Sequence, residues 1–232
     1  MAYGTPGLDE DEVVSRDELV RVLPPEKDHL LPRSVIKVQE EEISCRPVSK
    51  KILAVHYRAT PAMDMSMNDD QIVIAVAEGA KYRILKVLKS DAGVVNGELS
   101  SVNDFEQDFI SIDGMRFLHI RNRISGSGGI VEHDVYTISS QNNLSVIPFA
   151  EERKPKLLKA DEDLRNGQYQ FEGNSFHFVA GIARPEDFEC CASGGSYHAD
   201  LKLRGTFKED PVKQAFNPDF EFVVVKEWRT QD

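Results

Sequence analysis

Apolar and polar residues alternate along most of this chain. From Ser34 onward the period is two, with runs rich in Val, Ile, Phe and Tyr at about 34–39, 50–58, 71–77, 80–88, 105–112, 115–123, 130–138, 143–149, 168–172, 175–182, 196–204 and 219–228. Short links separate these runs, and no regular helical stretch intervenes, so antiparallel meanders are predicted rather than a parallel sheet. Before Ser34 the pattern differs. Ser15 stands three residues ahead of Glu18, the reciprocal capping arrangement, with Leu19, Val20 and Leu23 following on one side and Pro24-Pro25 closing the segment. One short helix over about 16–23 is expected there. Two further helical interruptions are expected, one over 156–165 ahead of Asn166-Gly167 and one over 211–216 between Asp210-Pro211 and Asn217-Pro218. The predicted fold is mainly β: an antiparallel meander or sandwich of about a dozen strands with a short N-terminal helix. Residues 1–14 read as a polar lead-in and 15–232 as a single β-rich domain, with a soft division near 150–167.

Turn chemistry fixes part of the register. Gly173-Asn174 tolerates the positive φ of a two-residue hairpin loop, which sets Phe171 opposite Phe176, Tyr169 opposite Phe178, and Gln170 opposite His177. The Tyr169, Phe171, Phe176 and Phe178 face should be core. Counting outward from Asp113-Gly114 sets Ile112 opposite Met115, Ile110 opposite Phe117 and Asp108 opposite His119. A third hairpin should turn through Ser140-Gln141-Asn142, and Gly126-Ser127-Gly128-Gly129 reads as a flexible exposed loop.

Charge narrows the partners. Of 232 residues, 28 are Lys or Arg and 39 are Asp or Glu, a net charge of −11. An excess of acid disfavours nucleic acid and anionic membrane, which are held by clustered cations, and no aromatic-studded basic stripe is present. The most apolar stretches, Ile72 to Ala77 and Phe220 to Val225, fall far short of the ~20 residues of a membrane span. The opening segment has no basic stretch followed by an apolar run, so no secretory signal is expected within it. Cys45, Cys190 and Cys191 form no Cys-x-x-Cys pair; they are either buried thiols or contribute one bridge from Cys45 to the adjacent pair in an oxidising compartment.

The segment DFISIDGMRFLHIRN, a Gly-rich link, then HDVYTIS and NNLSVIPF, within 105–149, resembles a blade of the FG-GAP-like β-repeats of bacterial exported proteins. It covers about a fifth of the chain. The resemblance implies β-meander structure and export to the periplasm or outside the cell. The alternating Asp/Asn calcium loop of that family is missing here, with only Asp113-Gly114 in its place, so calcium is not implied.

The candidate chemistry is sparse. Met63, Met65 and Met67 alternate with Asp64 and Ser66, so an extended segment would place three thioethers on one face, about 7 Å apart per step. Soft sulfur suits Cu(I), and His56 at the end of the preceding strand could add a nitrogen; the plainer reading is a Met-lined edge. Asp108 opposite His119 is half of a triad, although no nucleophile elbow surrounds Ser127, Ser193 or Ser196. Cys190-Cys191 sits among Glu186, Asp187 and Glu189, which oppose thiolate formation. His133 lies between Glu132 and Asp134, but on a strand only those two carboxylates share a side.

The expectation is a β scaffold, more plausibly non-catalytic than an enzyme, that binds a protein or small-molecule ligand through loops such as 60–70, 124–129 and 189–197. A Met-based copper(I)-binding protein and a Ser or Cys hydrolase using His119 or His133 are the alternatives. What decides among them is whether His56, His119, His133, His177 or His198 meet carboxylates or sulfurs in space.

Overall fold

The computed structural model describes residues 8–23, 32–59, 69–89, 94–95, 98–99, 103–124, 131–149, 156–187 and 192–231. They are mostly antiparallel β, with almost no helix. β1 (Val13–Val14), α1 (Arg16–Leu19), β2 (Ser34–Cys45), β3 (Val48–Ala59), β4 (Asp69–Glu78) and β5 (Lys81–Lys89) come first, and the strands run side by side as β1-β5-β4-β3-β2. β6 (Val94–Val95) and β7 (Glu98–Leu99) form a small separate hairpin. β8 (Asn103–Ile112), β9 (Met115–Ile124), β10 (Val131–Ile138) and β11 (Leu144–Val146) form a second meander. It joins the first through one ladder pair, Ser44 with Arg116, giving a nine-stranded sheet. β12 (Asp163–Glu172), β13 (Ser175–Ala183), β14 (Ser196–Asp210) and β15 (Ala215–Thr230) make a four-stranded sheet in chain order.

The counted registers are present. Phe171 pairs with Phe176, Tyr169 with Phe178, and Gln170 with His177. Ile112 pairs with Met115, Ile110 with Phe117, and Asp108 with His119. Asp113 and Gly114 both take positive φ, of 50° and 76°, as a primed turn requires, and the third hairpin pairs Ile138 with Leu144.

The three helical expectations need correction. The first helix is a single turn that stops at Leu19, although its capping box forms: Glu18 N donates to Ser15 Oγ at 3.2 Å, and Ser15 N to Glu18 Oε2 at 2.8 Å. Over 156–165 there are turns and then β12, where Leu164 joins the ladder opposite Ile182. A leucine spacing that suits a helix also suits a strand, and the neighbouring β13 decides it. Over 211–216 the chain makes a tight turn and re-enters the sheet as β15. Pro218 lies within that strand, which is tolerated because β15 is the sheet's outermost strand.

β4 is apolar on both sides because both sides are covered. Ile72, Ile74 and Val76 join Phe109, Leu118, Ile120 and Tyr136 in the larger core, whereas Val73 and Ala75 pack with Leu8, Val14, Leu19 and Leu23. Past β11 the chain crosses to the four-stranded sheet: Ile147 N donates to Val135 O and Phe222 N to Pro148 O, each at 2.8 Å. The Phe149 ring then stacks on Phe222 with centroids 4.6 Å apart, and Phe176 meets both edge-on. The aromatic face expected from the Gly173-Asn174 hairpin therefore does look inward.

Candidate functional site

β9 and β10 bring two distant histidines together. Their register sets His119 opposite Val135 and Arg121 opposite His133, so the two imidazoles are diagonal neighbours on one face. His119 Nε2 lies 2.8 Å from His133 Nδ1, and the rings stack with centroids 5.0 Å apart. Phe176 presses its edge against both, with Phe171 beside His119 and Tyr169 beside His133. The residues are only 4% and 9% exposed. Burial, which disfavours the charged ring, pushes both imidazoles well below their ordinary range; at His119 the His133 ring adds to this, and Arg121 adds to it at both. Both are neutral at pH 7, where a shared hydrogen bond leaves each ring one further polar nitrogen. His133 Nε2 is buried, and the Tyr169 main chain hydrogen-bonds the ring and opposes part of the shift.

Two hollows adjoin this pair. One, of about 580 Å³, lies between β10, the 147–149 crossing and the inner face of the four-stranded sheet. Its walls are Phe149, Tyr169, Phe178, Tyr197, Leu201 and Val224, with Glu132, His133 and Asp134 contributing along β10. The other, of about 450 Å³, is more polar and is lined by Glu106, Asp108, His119, Arg121, Gln170 and Phe171 among others. Val131, His133 and Tyr169 line both. Burial raises the Asp134 carboxyl from its ordinary value, and the Tyr136 hydroxyl, 3.2 Å from it, pulls the other way.

We found no family model, curated protein or solved structure that matches the chain. The residues must carry the functional argument alone.

Asp108 and His119 do pair in register, but they do not form half of a triad. Asp108 Oδ1 accepts from Gln39 Nε2 at 3.1 Å and from the Phe109 N–H at 2.9 Å, while His119 turns inward to His133. Ser193 lies by Asp187, whose carboxylate accepts from the Ser193 N–H at 2.9 Å, and Ser196 lies on β14. Among the described residues no serine or cysteine is hydrogen-bonded to an imidazole. Cys45 is buried, and burial pushes its thiol up to about 12. Ser127, Cys190 and Cys191 lie outside the described residues.

His56 sits in a different environment from the one a copper site needs. It is buried on β3, with Nε2 3.1 Å from Asp70 Oδ2. Asp70 is fully buried and grips the Arg58 fork through both oxygens at 2.7 Å, and the Phe105 N–H donates to it at 3.2 Å. Burial raises the Asp70 carboxyl, but Arg58 and His56 outweigh it and hold the group at about 2. Met63, Met65 and Met67 lie outside the described residues. Among the described ones, no three His, Cys, Asp or Glu side chains converge to hold a metal, and no helix is long and apolar enough to cross a membrane.

The histidines thus meet in ways the alternation alone did not reveal: His119 with His133, His177 with His198, and His56 with a carboxylate. The inward aromatics were readable as core. That several of them wall a hollow instead of filling it was not, because the space depends on how far β10 and the four-stranded sheet stand apart.

Proposed function

We propose that this protein is a non-catalytic β scaffold that binds a small, largely apolar ligand in the hollow between β10 and the four-stranded sheet. The observation that carries the reading is His133: a neutral imidazole, nine-tenths buried, set in the wall of an aromatic-lined space. A hollow of about 580 Å³ is in the range of small-molecule sites, which combine apolar walls with a few fixed polar groups. Tyr169, Phe149 and Phe178 offer ring faces and edges to a planar guest. Glu132 and Asp134 bring acid, and among the described residues neither Lys nor Arg lines the hollow, which favours a neutral or cationic ligand over an anion. A strongly depressed imidazole takes up a proton poorly at neutral pH, so the pair is better suited to recognition than to general base catalysis. The proposed site is thus a sheet face and not the loops at 60–70, 124–129 and 189–197. The export reading rests on the resemblance of 105–149 alone.

Ligand-observed NMR against a panel of neutral, cationic and anionic aromatic fragments tests the proposal. Neutral or cationic fragments should bind the full chain, and Tyr169→Ala should weaken them about tenfold or more, as loss of an aromatic anchor does. Binding that ignores Tyr169→Ala and Phe178→Ala alike, or a preference for anions, would overturn it.

A further inference from the structure

We propose that His177 and His198, on the outer face of the four-stranded sheet, form a two-imidazole site for a divalent late first-row cation, Cu(II) or Zn(II). Strand alternation separates this site from the hollow: Tyr197 and Ala199 face inward and are buried, while His198 and Asp200 face out. The ladder sets His177 opposite Asp200 and His198 opposite Trp228, so three adjacent strands fix every member. His177 Nε2 lies 3.2 Å from His198 Nδ1. Two nitrogens bound to one such cation at about 2.0–2.1 Å stand about 2.8–3.4 Å apart, for angles between square and tetrahedral. The spacing already suits a shared cation, and the rings need only turn so that their lone pairs converge.

The atoms behind the two rings complete the case. A metal-bound imidazole normally donates its other N–H to an oxygen, which fixes the tautomer and makes the ligand more basic. His177 Nδ1 lies 2.9 Å from Asp200 Oδ1, and His198 Nε2 lies 3.4 Å from Thr230 Oγ1. Each ligand nitrogen therefore has an oxygen behind its ring. In the bound state His198 carries its proton on Nε2, facing Thr230, and Nδ1 is left as the metal ligand. The Trp228 ring backs both imidazoles, stacked on His198 at 5.2 Å and 5.3 Å from His177. Lys226, opposite Asp200, places its ammonium over that ring, 4.5 Å from the centroid, so the site is not an indiscriminate acidic patch. His177 keeps 22% of its side chain exposed, so water can fill the positions that two protein ligands leave open. The buried pair lacks this arrangement, since Asp108 serves Gln39 instead of an imidazole.

Trp228 is the only tryptophan in the chain, so its fluorescence reports on this site. Adding CuCl₂ to the full chain should quench it saturably at one equivalent, and ZnCl₂, which does not quench, should compete. Equilibrium dialysis with elemental readout should show one zinc bound in the wild type and that zinc lost in His198→Gln. Asp200→Asn should weaken binding about 10–100-fold, as loss of an outer-shell partner does, with far-UV circular dichroism and the urea midpoint serving as fold controls. Met63→Leu, Met65→Leu and Met67→Leu together should leave this binding unchanged, which separates it from a methionine site. Quenching that does not saturate, or that persists in His198→Gln, would overturn the proposal, as would zinc stoichiometry independent of His177 and His198.

Discussion

A buried imidazole that stays neutral when folded is a built-in sensitivity to acid. His119 and His133 have folded-state values below the ordinary one near 6.5, so below that pH the unfolded chain takes up protons that the folded chain refuses. Their effect on stability is therefore absent above about pH 6.5 and grows as pH falls, until the folded-state values are reached. The limiting slope is about 1.4 kcal/mol per pH unit for each imidazole. We expect the urea midpoint to drop between pH 7 and pH 5, and the drop to be shallower in a His119→Gln, His133→Gln double variant. An equal drop in both proteins would show that other groups control this range. Asp70 cannot cause it, because its contribution is lost only as pH falls from the ordinary carboxylate range near 3.8 toward about 2. At this scale the sequence was only partly readable. The Asp108–His119 register could be counted across a two-residue turn, but the His133 partner lies across the longer 125–130 link, whose length fixes no register.

Tight hairpins were legible among the elements because Gly and Asn or Asp stand where the backbone needs positive φ. Gly205 carries that reasoning into the interior of a strand. It has φ +125° in β14, and a Cβ placed there would come within 2.0 Å of the Asp219 carbonyl oxygen on the paired β15. Backbone on the partner strand cannot swing aside as a side-chain tip can. Gly205→Ala should destabilise by about 2–4 kcal/mol, from a disfavoured dihedral together with a forced shift of the ladder. At about 2–4 °C per kcal/mol for a chain of this size, a thermal melt should show a loss of at least about 4 °C; a loss under about 1 °C would mean that β15 yields freely. The two misplaced helices belong to this scale too. Leu157, Leu158 and Leu164 fit a helical face in isolation, and only the strand waiting at Ile182 draws Leu164 into a ladder.

For the molecule as a whole, alternation was enough to predict the fold class, but not how the sheets meet. The first two meanders share one ladder pair, so side chains must do much of the joining. Asp70 is central to this: on β4, it holds Arg58 of β3 and the main chain of Phe105 on β8, while Gln107 Nε2 reaches the Ala54 carbonyl at 3.1 Å. Removing the charge breaks a bidentate pair whose carboxylate is fully buried and whose guanidinium is only about a quarter exposed, at 24%. Asp70→Asn should therefore cost about 3–5 kcal/mol in urea unfolding, whereas a cost below about 1 kcal/mol would show that the meanders hold together without it. None of this was visible in the sequence, because Asp70 stands in a run of polar residues that resembles any solvated strand end.

His133 and Tyr169 belong to both hollows at once. Two chambers with a common partition are not independent containers: a guest leaning on one side of that wall alters the room available on the other. Whatever enters the aromatic chamber will thus be registered in its more polar neighbour, with no need for either sheet to move.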